Sequence, residues 1–558
     1  MSSSFSFFSL PGNSTWTQGD KNIRKTDGQL IADRKSLDRV FIRPYDENSK
    51  KTLVKYMEQI LFGLHDFLNR HVGVTEEISI TELAKNYMDV EISDHPQKNL
   101  GQVIEDIIKD IAPKAVNVAS PYFIGHMTSA LPFFMVHLKA ITAALNQNLI
   151  KMETSKVLAV IERQVLAKIH CLIFKQSQAF YRAHVQNTRT ALGAFTSGGT
   201  TANITAMWVA RNKLFPPKDD FSTIEEDGLF KAMSVHHTDR VVILVSRRAH
   251  YSLRKASGIL GLGNKNIIAV DVKPDHTIDI DKLKQTIKDL KQEGRTKIAA
   301  IVGIAGATET GTIDPLQQMA DICEQEQIHF HVDAAWGGPI LLSHTYAHLL
   351  SGIERADSVT IDGHKQFYMP MGAGMVYFKN ANALDAIAYH ARYVNRKGSV
   401  DLGIKTLEGS REAACLILDA SLKIMGAKGY ALMIDHGIET ARAFAEKIEE
   451  RPEFELVTRP VLNILTYRLV PMSFRQKLAT ARGEERKRLN QELDEINIRI
   501  QRIQREAGKS FVSRTRLKLV PEDDFMVVVL RSVIMNPYTT QAILDDILDE
   551  QEQIYHKF

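Results

Sequence analysis

Cysteine is scarce in this chain, with Cys171, Cys323 and Cys415 the three among 558 residues. They stand far apart and show no metal-ligand spacing. That argues against a disulfide framework and a metal site, and it fits reduced thiols in a cytoplasmic protein. Excess charge is missing too: 70 lysines and arginines against 66 acidic residues leave +4 at pH 7. No basic, aromatic-interleaved patch occurs, so nothing here argues for nucleic acid. Long apolar runs are absent. The most apolar stretch, Ala130 to Leu145, is broken by Pro132, His137 and Lys139, and no membrane span is expected. The opening Met-Ser-Ser-Ser-Phe-Ser-Phe-Phe lacks a basic segment and a long apolar core, so it is not read as a signal peptide.

What is present is an ordinary globular composition, 44% hydrophobic and 24% charged. A chain this long is expected to form two or three domains. Residues 1 to about 48 are polar and read as an irregular arm. Apolar positions recurring every three to four residues predict a helix over Thr52 to Leu64, and a second covers Leu100 to Ile111 before Pro113. From about 150 to 380, short apolar strands alternate with helices. Candidate strands are 241–245, 298–304, 329–332, 358–361 and 374–378, with helices over 280–293 and 316–325 between them. This pattern predicts a mostly parallel sheet covered on both faces. Beyond about 405 a smaller α/β domain is expected, with strands at 454–457, 463–468 and 525–530 and a final helix from Thr540. Its long charged helix, Phe474 to Glu506, carries Leu489, Leu493, Ile496, Ile500 and Ile503, and is expected to lie on its own domain. The expected division is 1–115, an arm and helical segment; 116–400, the large domain; and 401–558, the small one.

Four segments carry chemistry. Ser358-Val-Thr-Ile-Asp-Gly-His-Lys365 runs a β-branched strand into a glycine, a histidine and a lysine. A partly desolvated lysine there can form a Schiff base with an aldehyde cofactor. Thr196-Ser-Gly-Gly-Thr-Thr-Ala-Asn203 precedes an amphipathic helix, Ile204 to Leu214. Gly199, Thr200 and Thr201 at the start of such a helix make a phosphate cradle, because glycines let the backbone approach an anion and helix amino ends present free N–H groups. The turn is neither G-x-G-x-x-G nor a P-loop, which argues against a dinucleotide or a nucleoside triphosphate. His250 follows the strand at 241–245 and could stack on a flat heterocycle. Asp333, at the end of a strand, could hold a pyridine nitrogen protonated, and Ala335 leaves room for a ring. Taken singly, each has a bland alternative: a surface lysine, a helix cap, a structural histidine, a capping aspartate. Together, at the carboxyl ends of the strands of one sheet, they describe pyridoxal 5′-phosphate.

These segments, in this order, resemble the pyridoxal-phosphate-dependent group II amino-acid decarboxylases from about Ser120 to the end of the chain. Thr360-Ile-Asp-Gly-His-Lys-Gln-Phe-Tyr368 and the 497–515 segment look most like the bacterial aspartate 1-decarboxylase group, sometimes labelled glutamate decarboxylase-like. The resemblance implies the aspartate aminotransferase-like, fold type I architecture of pyridoxal-phosphate enzymes. It implies Lys365 as cofactor anchor, Thr308 as a further cofactor contact and His364 against the phosphate. Leu530-Arg-Ser-Val-Ile-Met-Asn-Pro537 looks like the segment whose arginine grips the substrate carboxylate, which falls on Arg531. Ser120-Pro-Tyr-Phe-Ile-Gly-His-Met-Thr-Ser129 resembles the stretch lining the substrate pocket, which makes Phe123 and His126 substrate contacts. A homodimer is implied, with the helices around 51–111 packing across it.

One departure stands out. Many members carry a mobile loop whose tyrosine protonates the reaction intermediate, but here 393–407 is short and its one tyrosine, Tyr393, lies at its start. Tyr393, His250 and Lys365 all remain candidate proton donors. The expected reaction is decarboxylation of a small acidic L-amino acid, L-aspartate to β-alanine first. L-glutamate, cysteine sulfinate and aromatic amino acids follow. An aminotransferase on the same fold is disfavoured, because those enzymes more often stack an aromatic side chain where this chain has His250.

Overall fold

The computed structural model describes residues 25–26, 29–30, 47–68, 72, 80–389, 400, 402–520 and 523–557. The chain divides into two units, Met1–Asn117 and Val118–Phe558. In the first, helix α1 spans Glu47–Leu68 and α2 spans Leu100–Asp106. Helix α2 starts on a capping box: Gln102 N–H donates to Asn99 Oδ1 and Asn99 N–H donates to Gln102 Oε1, both at 3.0 Å. It continues through a π-turn, Ile107–Ile111, as far as the proline-bearing turn Ala112–Lys114.

The second unit opens with helices α3 (Phe133–Leu145) and α4 (Val157–Phe174). Strand β1 (Gly193–Thr196) runs into α5 (Gly199–Lys213), which starts five residues earlier than the apolar pattern suggests. Then come β2 (Arg240–Ser246), α6 (Ser252–Ile259), β3 (Ile267–Val270), α7 (Ile280–Gln292) and β4 (Thr296–Ile304). Helix α8 (Leu316–Glu326) and strands β5 (Phe330–Asp333), β6 (Ser358–Asp362) and β7 (Gly374–Phe378) complete the first layer system. Among the described residues these strands form one seven-stranded sheet in the order β1-β7-β6-β5-β4-β2-β3. Neighbours from β6 to β3 are parallel, while β7 runs against both β1 and β6.

The central strands are buried throughout because helices cover both faces. Ile243, Leu244, Ile301 and Val359 have no exposed surface, and burying each such side chain stabilises by about 1.5–3 kcal/mol. The parallel order also carries the function. It brings the carboxyl ends of β2, β4, β5 and β6 to one edge of the sheet, where connections are free to bear chemistry.

Helix α9 (Ala414–Glu450), kinked at Gly426, leads to a second sheet. Its strands are β8 (Phe454–Thr458), β9 (Ile464–Leu469), β10 (Ser513–Leu517) and β11 (Val527–Val533). They pair antiparallel in the order β8-β9-β11-β10, with α10 (Gly483–Ala507) and α11 (Gln541–Tyr555) beside them. The expected 474–506 helix is two, Met472–Thr480 and α10. They separate at extended Arg482, and Gly483 follows at φ +52°. Of the described helices, none is long and apolar enough to cross a membrane.

Candidate active site

Lys365 lies three residues beyond β6, in a turn held from several sides. The Gln366 side chain donates to Trp336 O at 2.9 Å, and the Tyr368 hydroxyl donates to Met535 O at 2.7 Å. Tyr368 is buried at φ +54°, a conformation costly for a bulky residue and sustained here by that packing. His364 Nδ1 donates to Ala373 O at 2.7 Å, which leaves Nε2 on the side of Asp362, 3.7 Å from its Oδ2. Lys365 Nζ is 3.0 Å from the same Asp362 oxygen. Asp362 is thus the amine's neighbour, a residue that sequence reasoning passed over.

Asp333 ends β5 and is fixed on both carboxylate oxygens. Asn203 Nδ2 donates to Oδ2 at 2.9 Å and the Ala335 N–H donates to Oδ1 at 3.2 Å. Asn203, buried on α5, also donates to Ser252 Oγ at 2.9 Å, and Ser252 lies 2.9 Å from His250 Nδ1. Burial lowers the His250 imidazole, partly offset by Asp333. His331, two residues before Asp333 on the same strand face, is pushed down to about 3 by complete burial and is neutral. Asn203 and Ser252 carry no sequence signal for this role, because their partners are far away along the chain.

The glycine turn joins β1 to α5. Gly374, at the start of β7, pairs in register with both Thr196 and Asp362. A side chain on it would come within 2.5 Å of the Gly198 backbone, so the close approach requires glycine. Helix α5 starts at Gly199 without a side-chain cap, which leaves its first-turn N–H groups available to an anion. Ser197 N–H donates to Glu408 at 2.9 Å, and its hydroxyl lies 3.1 Å from the Thr201 hydroxyl.

These features share one cavity of about 490 Å³. Gly199, Thr200, Thr201, His250, Thr308 and Asp333 line it, as do Ala335, His364, Lys365, Arg531 and His126. Phe123 does not. Its ring stacks on Phe511 with centroids 5.2 Å apart, and Phe123 and Phe511 form a β-bridge. Packing the 120s segment against the second sheet has claimed that ring, and the segment reaches the cavity through His126, Met127 and Thr128 instead. Tyr393 lies outside the described residues.

Arg531 sits on β11 at 8% exposure. Its Nη1 donates to Gly125 O at 3.3 Å and to Ser513 Oγ at 3.2 Å, while Nε and Nη2 are buried without a partner. Burial lowers this guanidinium to about 10, against the pull of Glu309. Burial lowers His126 as well, followed by the Arg531 charge, so it is a neutral neighbour. A second arginine, Arg248, shares the cavity wall and is paired to Glu309 at 2.7 Å.

The arrangement fits pyridoxal phosphate. A primary amine stands in a cavity with a carboxylate braced by two donors and an uncapped helix start behind glycines that a Cβ would close. The comparisons agree. The pyridoxal-dependent decarboxylase conserved domain matches residues 82–470, and the chain belongs to that family. It is 45% identical over 532 residues to the aspartate 1-decarboxylase of Aliivibrio fischeri, covering 94% of this chain and 96% of that one. It is 28% identical to the L-2,4-diaminobutyrate decarboxylase of Acinetobacter baumannii, across 69% of this chain and 74% of the other. Among solved structures, mouse CSAD in apo form superposes with a TM-score of 0.77 at 24% identity, over 91% of this chain and 100% of that one. The Catharanthus roseus tryptophan decarboxylase complex with L-tryptophan gives 0.75 at 18%, over 92% and 100%. The fold is therefore fold type I of the pyridoxal-phosphate enzymes, and the protein is a pyridoxal-phosphate-dependent amino-acid decarboxylase.

Proposed function

We propose that this enzyme decarboxylates a small acidic L-amino acid, with L-aspartate to β-alanine and carbon dioxide as its main reaction. The observation that carries this reading is the 45% identity, along nearly the whole of both chains, to a protein named aspartate 1-decarboxylase. The cavity supports it. Arg531, with two buried donor nitrogens without acceptors, suits the α-carboxylate, and Arg248, paired to Glu309 through Nη1 but with Nε buried and unpartnered, is a further donor on the wall for a side-chain carboxylate. A dicarboxylate suits such a surface better than an apolar side chain does.

In this reading Lys365 would hold the cofactor through its amine, which stands in the cavity 3.0 Å from Asp362. Gly199, Thr200, Thr201, Thr308 and His364 hold the phosphate side. His250 and Ala335, both on the cavity wall, would bound the space for the ring. Asp333, held by Asn203 and Ala335, keeps the ring nitrogen protonated. Arg531 grips the α-carboxylate and orients the bond to be broken, with His126 as a neutral wall beside it. When bound, the cofactor supplies the sink for the electron pair that the departing carboxylate leaves behind.

The direct test incubates cofactor-loaded enzyme with each of the twenty amino acids and cysteine sulfinate, and identifies the amine formed. β-Alanine should dominate. 4-Aminobutyrate as main product would reassign the substrate to glutamate, and a keto acid in place of carbon dioxide would overturn the reaction class. Lys365→Ala should lose the visible cofactor band and at least about 10³-fold in turnover, judged against the range that single acid–base residues span. A Lys365→Ala enzyme working at the normal rate would remove Lys365 from this role.

A further inference from the structure

Asp333 and His250 belong to one hydrogen-bonded chain, and its direction can be settled from two fixed points. The first is a backbone amide, which donates and never accepts. Ser252 N–H lies 3.3 Å from His250 Nδ1, so that nitrogen is an acceptor. The second is the Asp333 carboxylate, which accepts and has no hydrogen to give. Asn203 must therefore turn its NH₂ toward Asp333 Oδ2 at 2.9 Å, and the same nitrogen reaches Ser252 Oγ at 2.9 Å. Because His250 Nδ1 is an acceptor, the Ser252 hydroxyl, which accepts from Asn203, gives its own hydrogen to that nitrogen at 2.9 Å. The amide fixes the His250 end, Asp333 fixes the Asn203 end, and the Ser252 hydroxyl joins them.

The hydrogen-bonded chain extends away from the cavity. Asn203 Oδ1 accepts from His331 Nε2 at 3.1 Å. His331 Nδ1 then accepts from the Ser358 hydroxyl at 2.8 Å, and Ser358 Oγ accepts from His329 Nε2 at 2.8 Å. Asn203, Ser252, His331 and Ser358 are all buried to 1% exposure or less, so no water competes for these bonds. Every donor in the series points toward the cavity.

We infer that this chain locks His250 in the neutral form with its proton on Nε2, and that Asn203 is the positioning residue that ties His250 and Asp333 into one unit. The inference rests on the reading of those two residues as cofactor contacts. It sharpens the chemistry in one respect. Protonating His250 would put a hydrogen on Nδ1 facing two donors of Ser252, and taking its Nε2 proton would leave an imidazolate. His250 is then a hydrogen-bond donor to the bound groups rather than the acid that protonates the substrate carbon. Of the three candidate proton donors, that leaves Lys365 and Tyr393.

The test uses holoenzyme carrying ¹⁵N-labelled histidine, with the His250 signals assigned by their loss in His250→Gln. Between pH 7 and 8, Nε2 should show the protonated shift and Nδ1 the unprotonated one. A proton on Nδ1 in the native holoenzyme would overturn the inference. A kinetic arm uses Asn203→Leu and, since that variant changes a buried site, Ser252→Ala, which keeps the backbone donor. Charged or titratable groups around His250 are Asp333, Asp362 and Lys365, with the Tyr251 ring 4.2 Å away. With those unchanged, losing the Ser252 hydroxyl should move the acid limb of kcat upward by about one pH unit, the usual scale of environmental shifts, while KM changes less than kcat. A lower kcat with an unmoved limb would assign Asn203 and Ser252 a merely structural role. Failure of the protein to show a visible cofactor band would count against the underlying reading instead, so the two failures are told apart.

Discussion

Arg531 is a cation with too few acceptors. Its two unpartnered nitrogens make it costly to the empty protein, because a buried charge without a counter-ion is destabilising. A substrate carboxylate would relieve that cost. Arg531→Met should therefore lower kcat/KM by about 10²–10³-fold, the scale of about 2–5 kcal/mol for breaking a buried charge pair, and should leave the melting temperature unchanged or higher. Steady-state kinetics and thermal melts on one preparation check both halves.

A second single-residue effect concerns acid. His170 is buried on α4, where Nε2 donates to Phe378 O at 3.0 Å and Nδ1 accepts from the Tyr181 hydroxyl at 2.9 Å. Burial lowers it to about 4 from the ordinary 6.5. The folded value is depressed, so its contribution is complete above pH 6.5 and is lost as pH falls toward 4. The loss reaches about 3 kcal/mol by pH 4. In urea melts, His170→Gln should be less stable at pH 7.5 and show a shallower decline between pH 6.5 and 4.5. An unchanged slope would count against a buried neutral imidazole there.

At the scale of elements, α10 shows how much a charged sequence can conceal. It buries Leu489, Leu493 and Ile500, with Ile500 in the apolar core of the second sheet, as expected of a helix lying on its own domain. It also buries polar residues that the pattern does not reveal. Asn497 caps Leu469 on both its N–H and its carbonyl, at 2.9 and 3.0 Å, and Asp494 accepts from Val528 N–H at 2.6 Å. Leu493→Ala should cost about 2–5 kcal/mol, whereas Glu492→Ala on the exposed face should stay within about 0.5 kcal/mol, both by chemical denaturation. Equal effects would mean the helix is not seated there.

The strands that the sequence did not announce are all edges. Strands β1 and β3 close the two sides of the large sheet, and β10 closes one side of the small one. Central strands are marked by unbroken apolar runs because both faces are covered. Strand β10, Ser-Arg-Thr-Arg-Leu, exposes Arg514 and Arg516, charges that protect an edge and erase the apolar signal. The break before α10 did leave a trace, a glycine followed by Glu484 and Glu485, which is how a helix start reads. Asp333, His250 and Lys365 were legible because they end or follow strands in recognisable segments, and Gly199, Thr200 and Thr201 because they open a helix behind glycines. Asn203, Ser252 and Asp362 were not, since their meaning lies in contacts across the fold. Phe123 was misplaced because proximity in sequence to His126 does not fix which way a ring points.

At the scale of the molecule, the second unit carries apolar surface that its own fold leaves uncovered. Helix α3 exposes Phe133 at 79%, with Val136, Ile141 and Leu145 also exposed, and Val157 at the start of α4 adds to it. Large exposed apolar residues on neighbouring elements mark association surfaces. We propose that the enzyme is a homodimer and that this surface takes part in the contact. Sedimentation should give twice the 62.8 kDa chain mass, and Phe133→Glu combined with Val136→Glu should shift the protein toward monomer. A double variant that remains fully dimeric would place the contact elsewhere.

The reversed strand β7 lies between β1 and β6, with Gly374 facing Thr196 on one side and Asp362 on the other. The glycine turn and the lysine turn therefore meet across a strand that is made after both of them. During synthesis, a ribosome can release β1, the helix of the phosphate cradle and even Lys365 without the two halves of the pocket being held together. The wedge arrives with residues 374–378. Cofactor capture thus belongs to a late stage in the life of the nascent chain, when some two-thirds of the polypeptide has already emerged.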